Sequence, residues 1–194
     1  MVPIEHEKNV RTYLHHHVNY YSTTPNVSAF YRWQDSMIQP VKIESVSSIP
    51  GLMQVIDAAM KDCPRSFQLK HCYDNAFNLS TSSYANQQIH YVEGFSTCGE
   101  YLCGHAWNSW NGRHFDVTGE LASDETKKLG GSIASISYLR VIELDPLTAF
   151  ARSLDSDSGP LQIPHFLKTH KLKKSALDRV GLLVPDMELL SDEA

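Results

Sequence analysis

The chain has 194 residues, of which 42% are hydrophobic and 20% charged, enough apolar side chains for one ordinary core and too many for a disordered or collagen-like chain. Seventeen Lys plus Arg against twenty-two Asp plus Glu leave a formal net charge of -5, which argues against binding nucleic acid or an anionic membrane through broad positive potential. There is no run of the roughly 18 to 20 apolar residues that a membrane span needs and no apolar signal core near the start, and four scattered cysteines (Cys63, Cys72, Cys98, Cys103) are too few for a disulfide scaffold. The expectation is a cytoplasmic protein with free thiols and no nucleic-acid or membrane partner.

Residues 1–35 carry many aromatics among polar residues (Tyr13, Tyr20, Tyr21, Phe30, Tyr31, Trp33) and read as a peripheral helix and loop packed on the core. Pro50, after Ser47 and Ser48, opens a helix whose apolar residues Leu52, Val55, Ile56, Ala59 and Met60 recur at helical spacing, and Cys63-Pro64 ends it. A second helix runs from about Leu69 or Cys72 to Leu79, with Leu69, Cys72, Tyr73, Ala76 and Phe77 on one side, and the hydroxyl-rich cluster at 80–83 stops it. Four strands follow, at 89–95, 104–110, 113–118 and 136–142. Asp145-Pro146 caps a short helix through Phe150 and Arg152, and 155–160 is turn or linker chemistry. The remainder, with a basic run (Lys168, Lys171, Lys173, Lys174) and an acidic end, has enough Leu and Val for one docked helix. Helices followed by strands make the class α+β. The chain reads as a single domain, with a core at 49–154 between the peripheral segment 1–48 and a linker and helical tail at 155–194.

Asn111-Gly112 supplies the two positive-φ residues of a type I′ hairpin turn. With those two as the loop, Trp110 faces Arg113, Ser109 faces His114, Trp107 faces Asp116 and His105 faces Thr118. Alternation puts His105, Trp107, Ser109, His114, Asp116 and Thr118 on one face and Ala106, Trp110, Phe115 and Val117 on the other. His105 and Asp116 become diagonal cross-strand neighbours, with β-carbons about 7 Å apart or less, so the carboxylate can orient the imidazole. A histidine so held is half of a nucleophilic machine. Of the nucleophiles upstream, Cys72 is favoured over the serines at 80–83, because unpaired N–H groups and the dipole at the start of a helix favour thiolate. A thiol with a pKa of about 8.5 needs both helix and imidazolium to ionise at neutral pH.

Taken in order, Cys72-Tyr-Asp-Asn-Ala, Tyr91-Val-Glu-Gly, His105-Ala-Trp-Asn and Asn-Gly-Arg-His-Phe-Asp116-Val-Thr resemble the Cys, His, Asp series of papain-like thiol enzymes, most closely their transglutaminase-like branch, over about residues 66–120. The resemblance implies an α+β fold in which a helix bearing the nucleophile packs on an antiparallel sheet. It also implies a triad of Cys72 as nucleophile, His105 as general base and acid and Asp116 as orienting residue, with no cofactor. Gln68 and Asn75 are the candidate oxyanion donors, and Trp107, Glu93 and Tyr73 the candidate cleft residues. If Ser66 caps the helix, Cys72 falls inside it and its N–H is taken by the helix ladder; Asp74, too, would oppose a thiolate nearby. The implied reaction is acyl transfer or amide or thioester hydrolysis through a thioester on Cys72, with a peptide, protein or small acyl compound as substrate.

Other readings stay open at this stage. His114 shares the face with Asp116 and is an alternative base. Cys98, Cys103 and His105, with His71, Cys72 or His114, can be assembled into a zinc site, although no C-x-x-C pair is present. A catalytically silent or zinc-stabilised binding module of the same fold is the alternative function.

Overall fold

The structure, a computed structural model, describes residues 4–61, 67–82, 88–98, 101–128, 136–155 and 159–172. Two helices come first, α1 (Ile4–Tyr20) and α2 (Pro25–Met37), the second with Pro at its start. They are followed by β1 (Gln39–Val41), a turn of 3₁₀ helix (Val46–Ser48) and α3 (Leu52–Lys61), which buries Leu52, Ile56 and Ala59 at helical spacing. Next come α4 (Cys72–Ser82), β2 (Ile89–Cys98), β3 (Tyr101–Trp110), β4 (Arg113–Phe115) and α5 (Val117–Lys128). The chain continues with β5 (Ile136–Leu144), α6 (Pro146–Ser153) and α7 (Gln162–Thr169). The class is α+β. Among the described residues, no helix is long and apolar enough to cross a membrane.

The five strands pair antiparallel in the order β1-β5-β2-β3-β4. Just past β1, Ile43 bridges to His114 of β4 in parallel, and the Glu44 amide donates to the His114 carbonyl at 2.9 Å. The chain leaving one edge of the sheet therefore reaches the other, and the sheet curls into a nearly closed wall. Its outer face packs on helices. Tyr91, Phe95, Ala106, Leu139, Val141 and Leu144 meet side chains of α1, α2, α4, α6 and α7, while Ile89 and Phe115 meet α3 and Leu79 of α4. The inner, concave face holds Val92, Trp107 and Tyr138, with Val41 and Ile43 against them.

The hairpin forms in the expected register: Asn111 and Gly112 have φ of 51° and 74°, with Trp110 opposite Arg113 and Ser109 opposite His114. Its second strand stops early, however. Residues 113–118 are not one strand, because Val117 and Thr118 already belong to α5, so Thr118 does not face His105 and Asp116 is not a strand residue. The described part of the segment read as a peripheral helix and loop is two helices and an edge strand, with Val10 and Leu14 at 0% exposure. Their apolar stripe is faint in a helix otherwise full of His, Glu and Asn. Asp145 caps α6 as expected, accepting from the Thr148 amide at 3.0 Å. In the region read as linker and tail, Gln162–Thr169 is helical and buries Phe166 and Leu167 in the main core; Lys173, Lys174 and the acidic end lie outside the described residues.

Glu93, expected in the cleft, lies on the helix-bearing face. It is fully buried and accepts from the Tyr91 hydroxyl at 2.5 Å, the Gln162 amide at 3.1 Å and the Leu161 amide. It thereby satisfies the orphan N–H groups at the start of α7, the task of an N-cap carried out by a distant strand. Burial pushes its pKa up to about 7 against the lowering effect of those three donors. Alternation along β2 explains the misplacement. His105 faces inward opposite Gly94, whereas Glu93 stands opposite Ala106 and faces outward.

Candidate active site

Cys72 is the first residue of α4. The Asn75 amide bonds the His71 carbonyl at 2.8 Å, so His71 is the N-cap, and the amides of Cys72, Tyr73 and Asp74 have no intrahelical acceptor. A cap at Ser66 would have placed Cys72 within the ladder; Ser66 itself lies outside the described residues. The turn before the helix is pinned by Asn75, whose side chain accepts from the Gln68 amide at 3.0 Å and donates to the Gln68 carbonyl at 2.7 Å and the Thr118 hydroxyl at 2.8 Å. Both its amide hydrogens are thus committed, which removes Asn75 as an oxyanion donor and makes it the clamp joining the starts of α4 and α5. Gln68 is exposed, four residues before Cys72. Lys70, between them, has a φ of 66°, an uncommon conformation for a residue with a side chain. Asp74 is exposed and pairs with exposed His71 at 3.2 Å.

The β3–β4 ladder ends at the pair Asn108–Phe115, which leaves His105 beyond the last rung of β4. At that point the chain turns into α5, and Asp116 is the N-cap: its carbonyl accepts from the Glu120 amide at 3.0 Å. Its carboxylate meets His105 Nε2 at 2.7 Å and accepts from the Tyr138 hydroxyl at 2.8 Å. The expected pair exists, but the acid reaches the imidazole from the start of a helix instead of diagonally across a hairpin. With Nε2 occupied by Asp116, Nδ1 is the nitrogen left to face Cys72, whose thiol helps to raise the pKa of the same imidazole.

Electrostatics follow from this arrangement. Burial alone would lower the pKa of His105. The bond to Asp116 and the neighbouring Cys72 thiol overcome that and push it up to about 10. Asp116, 2% exposed, would be raised by burial but is held below the usual carboxylate range by His105, Gly119 and Tyr138. The raised imidazole therefore sits between the Asp116 carboxylate and the helix start that carries Cys72.

The remaining expected residues fall around this centre. Trp107 is 1% exposed on the concave face, its ring stacked 6.1 Å from that of His105 and its Nε1 donating to His114 Nδ1 at 3.2 Å. It backs the imidazole and does not line an open cleft. His114 is occupied by that bond and its pKa is lowered by burial; the side chain that Asp116 holds is His105. Tyr73 is half-buried against the main core, and a β-carbon on Gly104 would lie 2.9 Å from its hydroxyl, so the start of α4 presses on β3 where β3 has no side chain. Among the described residues, no three His, Cys, Asp or Glu side chains are grouped to hold a metal ion. Cys103 is an exposed free thiol, and the side chain of Cys98 lies outside the description.

Sequence reasoning missed Tyr138 and Gly119, which complete the surroundings of Asp116. Asp116 followed by Glu120 and the Leu-Ala-Ser-Asp-Glu run was a readable helix-start signal; nothing local marks Tyr138. No protein-family model matches the sequence, and no significant match to it was found among curated proteins or solved structures.

Proposed function

We propose that the chain is a cysteine-dependent acyl-transfer enzyme or hydrolase, built as a variant of the transglutaminase-like branch of papain-like enzymes. Cys72 attacks an acyl carbon of a peptide, protein or small acyl compound. The oxyanion is met by the Cys72 amide and the Gln68 side chain. As the bond to the leaving group breaks, His105 gives it the proton from Nδ1, leaving a thioester on Cys72. Water or an amine then loses its proton to Nδ1 as it attacks, and the thiol is freed. Asp116 keeps Nε2–H fixed and stabilises the imidazolium throughout. We place this activity in the cytoplasm, where reducing conditions preserve a thiol nucleophile.

One observation carries the reading: a single buried imidazole, fixed by a 2.7 Å bond to Asp116, has its pKa raised in part by the thiol at the first position of a helix. Its test is incubation with p-nitrophenyl acetate, followed by peptide mass spectrometry. An acetyl thioester is expected on Cys72 in the wild type, to disappear in Cys72→Ala and to form far more slowly in His105→Ala. Equal acetylation of Cys72 and exposed Cys103, indifferent to His105, would end the proposal.

A further inference from the structure

We propose that Tyr138 is a positioning residue of this site, its hydroxyl holding the Asp116 carboxylate in the orientation that faces His105. The inference rests on the acyl-transfer reading and adds to it a fourth residue, supplied by the distant strand β5.

Asp116 has two competing duties. As the N-cap of α5 its carboxylate is drawn toward the amides of the helix's first turn, and the torsion that aims a carboxylate is broad and roughly twofold. Capping alone therefore does not fix which oxygen faces the imidazole, or where. In the structure the donors converge on one atom. Oδ2 takes His105 Nε2 at 2.7 Å and the Tyr138 hydroxyl at 2.8 Å, while Oδ1 is buried with no partner among the described residues.

Tyr138 is suited to this task. It is 6% exposed and enters the concave face from β5, its ring 5.4 Å from Trp107 edge-on and 5.7 Å from His105. Packing fixes the ring, and the ring fixes the hydroxyl. Room for the arrangement comes from Gly119, the third residue of α5. A β-carbon there would lie 2.5 Å from Asp116 Oδ2, a distance real β-carbons essentially never show, and 3.1 Å from the Tyr138 hydroxyl, which would have to give by a few tenths of an ångström. Two residues far apart in sequence thus serve one oxygen.

A tyrosine that only filled the core would affect stability and leave the reactivity of Cys72 alone, so the test follows reactivity. Site-resolved iodoacetamide alkylation of Cys72 is measured against pH, over the range in which urea titrations show the proteins folded, in wild type, Tyr138→Phe, Gly119→Ala, Asp116→Asn and His105→Ala. Tyr138→Phe keeps the ring and loses one bond to a charged group. Alkylation is expected to slow about tenfold, and its acid limb to move up about one pH unit as Asp116 becomes easier to protonate. Gly119→Ala is expected to slow it similarly, although alanine is the better helix former. A wild-type profile in either variant, with Asp116→Asn and His105→Ala slow, overturns the role of Tyr138 and leaves the acyl-transfer reading standing. If His105→Ala and Asp116→Asn also match the wild type, the acyl-transfer reading falls and takes this proposal with it.

Discussion

On the helix-bearing face of the sheet, polar side chains are buried to serve the fold. Glu93 closes the start of α7, and Asn108 donates to the carbonyls of Ala76 and His90 at 2.9 and 3.0 Å. On the concave face, a few residues along the same strands, the buried polar groups serve one another: Tyr138 and His105 meet on Asp116, and Trp107 donates to His114. Both faces obey the rule that buried polar groups need partners. What differs is where the chain of partners ends. Glu93 ends on backbone amides, which cannot react, whereas His105 ends on a thiol at a helix start. Burial of a charge therefore does not by itself mark a site in this sheet; on the proposed reading, the last partner does.

The strongest way to break the comparison is His105→Ala. If His105 is the general base of the proposed reaction, its removal slows thioester formation on Cys72 about a thousandfold, read by the acetyl-trapping assay. The same variant tests the electrostatics. The folded pKa of His105 is raised from 6.5 to about 10, so its pairing stabilises the fold fully below pH 6.5 and that contribution is lost as pH rises through about 10. Urea unfolding should show an alkaline decline in the wild type that is reduced in His105→Ala; an unchanged decline would mean that the buried pair does not carry it.

Glu93→Gln probes the opposite face. Because burial raises this carboxyl from 4.5 to about 7, the fold prefers it protonated. Stability should therefore fall by up to roughly 3 kcal/mol as pH rises from 4.5 to 7 and stay level above that. The glutamine variant should lose this slope while Cys72 is alkylated at the wild-type rate. A change in alkylation without a change in slope would erase the distinction between the two faces.

Asn75→Ala acts where the faces meet. It removes three bonds tying the turn at Gln68 to α4 and α5 and leaves the buried Thr118 hydroxyl short of a donor, a loss of about 2 kcal/mol. The Cys72 amide is set by that turn, so thioester formation should slow more than stability alone explains. Calorimetry beside the trapping assay separates the two effects, and a stability loss with full activity would reduce Asn75 to a structural clamp.

How much of this could be read from the sequence depended on the range of the cause. Asn111-Gly112 dictated a turn type locally, so the register of β3 and β4 down to Ser109–His114 was legible and put His105 and Asp116 on neighbouring segments. The pattern around Cys72 likewise placed a helix there. The end of β4 was not legible, because Phe-Asp-Val-Thr suits a strand as well as it suits a strand followed by an N-cap, and only the docking of α5 on Asn75 decides between them. The duty of Glu93 was hidden for a stronger reason, since its partners lie 68 and 69 residues away. Tyr138 is the same case: a strand tyrosine is ordinary until the curl of the sheet carries its hydroxyl to Asp116.

The smallest expected effect sharpens the boundary of the site. In Gly104→Ala the added methyl meets the Tyr73 hydroxyl at 2.9 Å, but that atom is the tip of a side chain that can rotate away, and the backbone of Gly104 has no positive φ to strain an alanine. Glycine within a strand also costs about 0.5–1 kcal/mol relative to alanine through the freedom of the unfolded chain, which offsets the repacking. Net stability should therefore change by less than about 1 kcal/mol. Tyr73 directly follows Cys72, however, so its displacement nudges the first turn of α4, and a misplacement well below 1 Å should slow Cys72 alkylation about two- to threefold, against the about hundredfold loss a full ångström can bring. Measured together, an unchanged melting temperature with a small kinetic loss assigns Tyr73 to the placement of the nucleophile; a kinetic rate equal to wild type assigns it to the core alone.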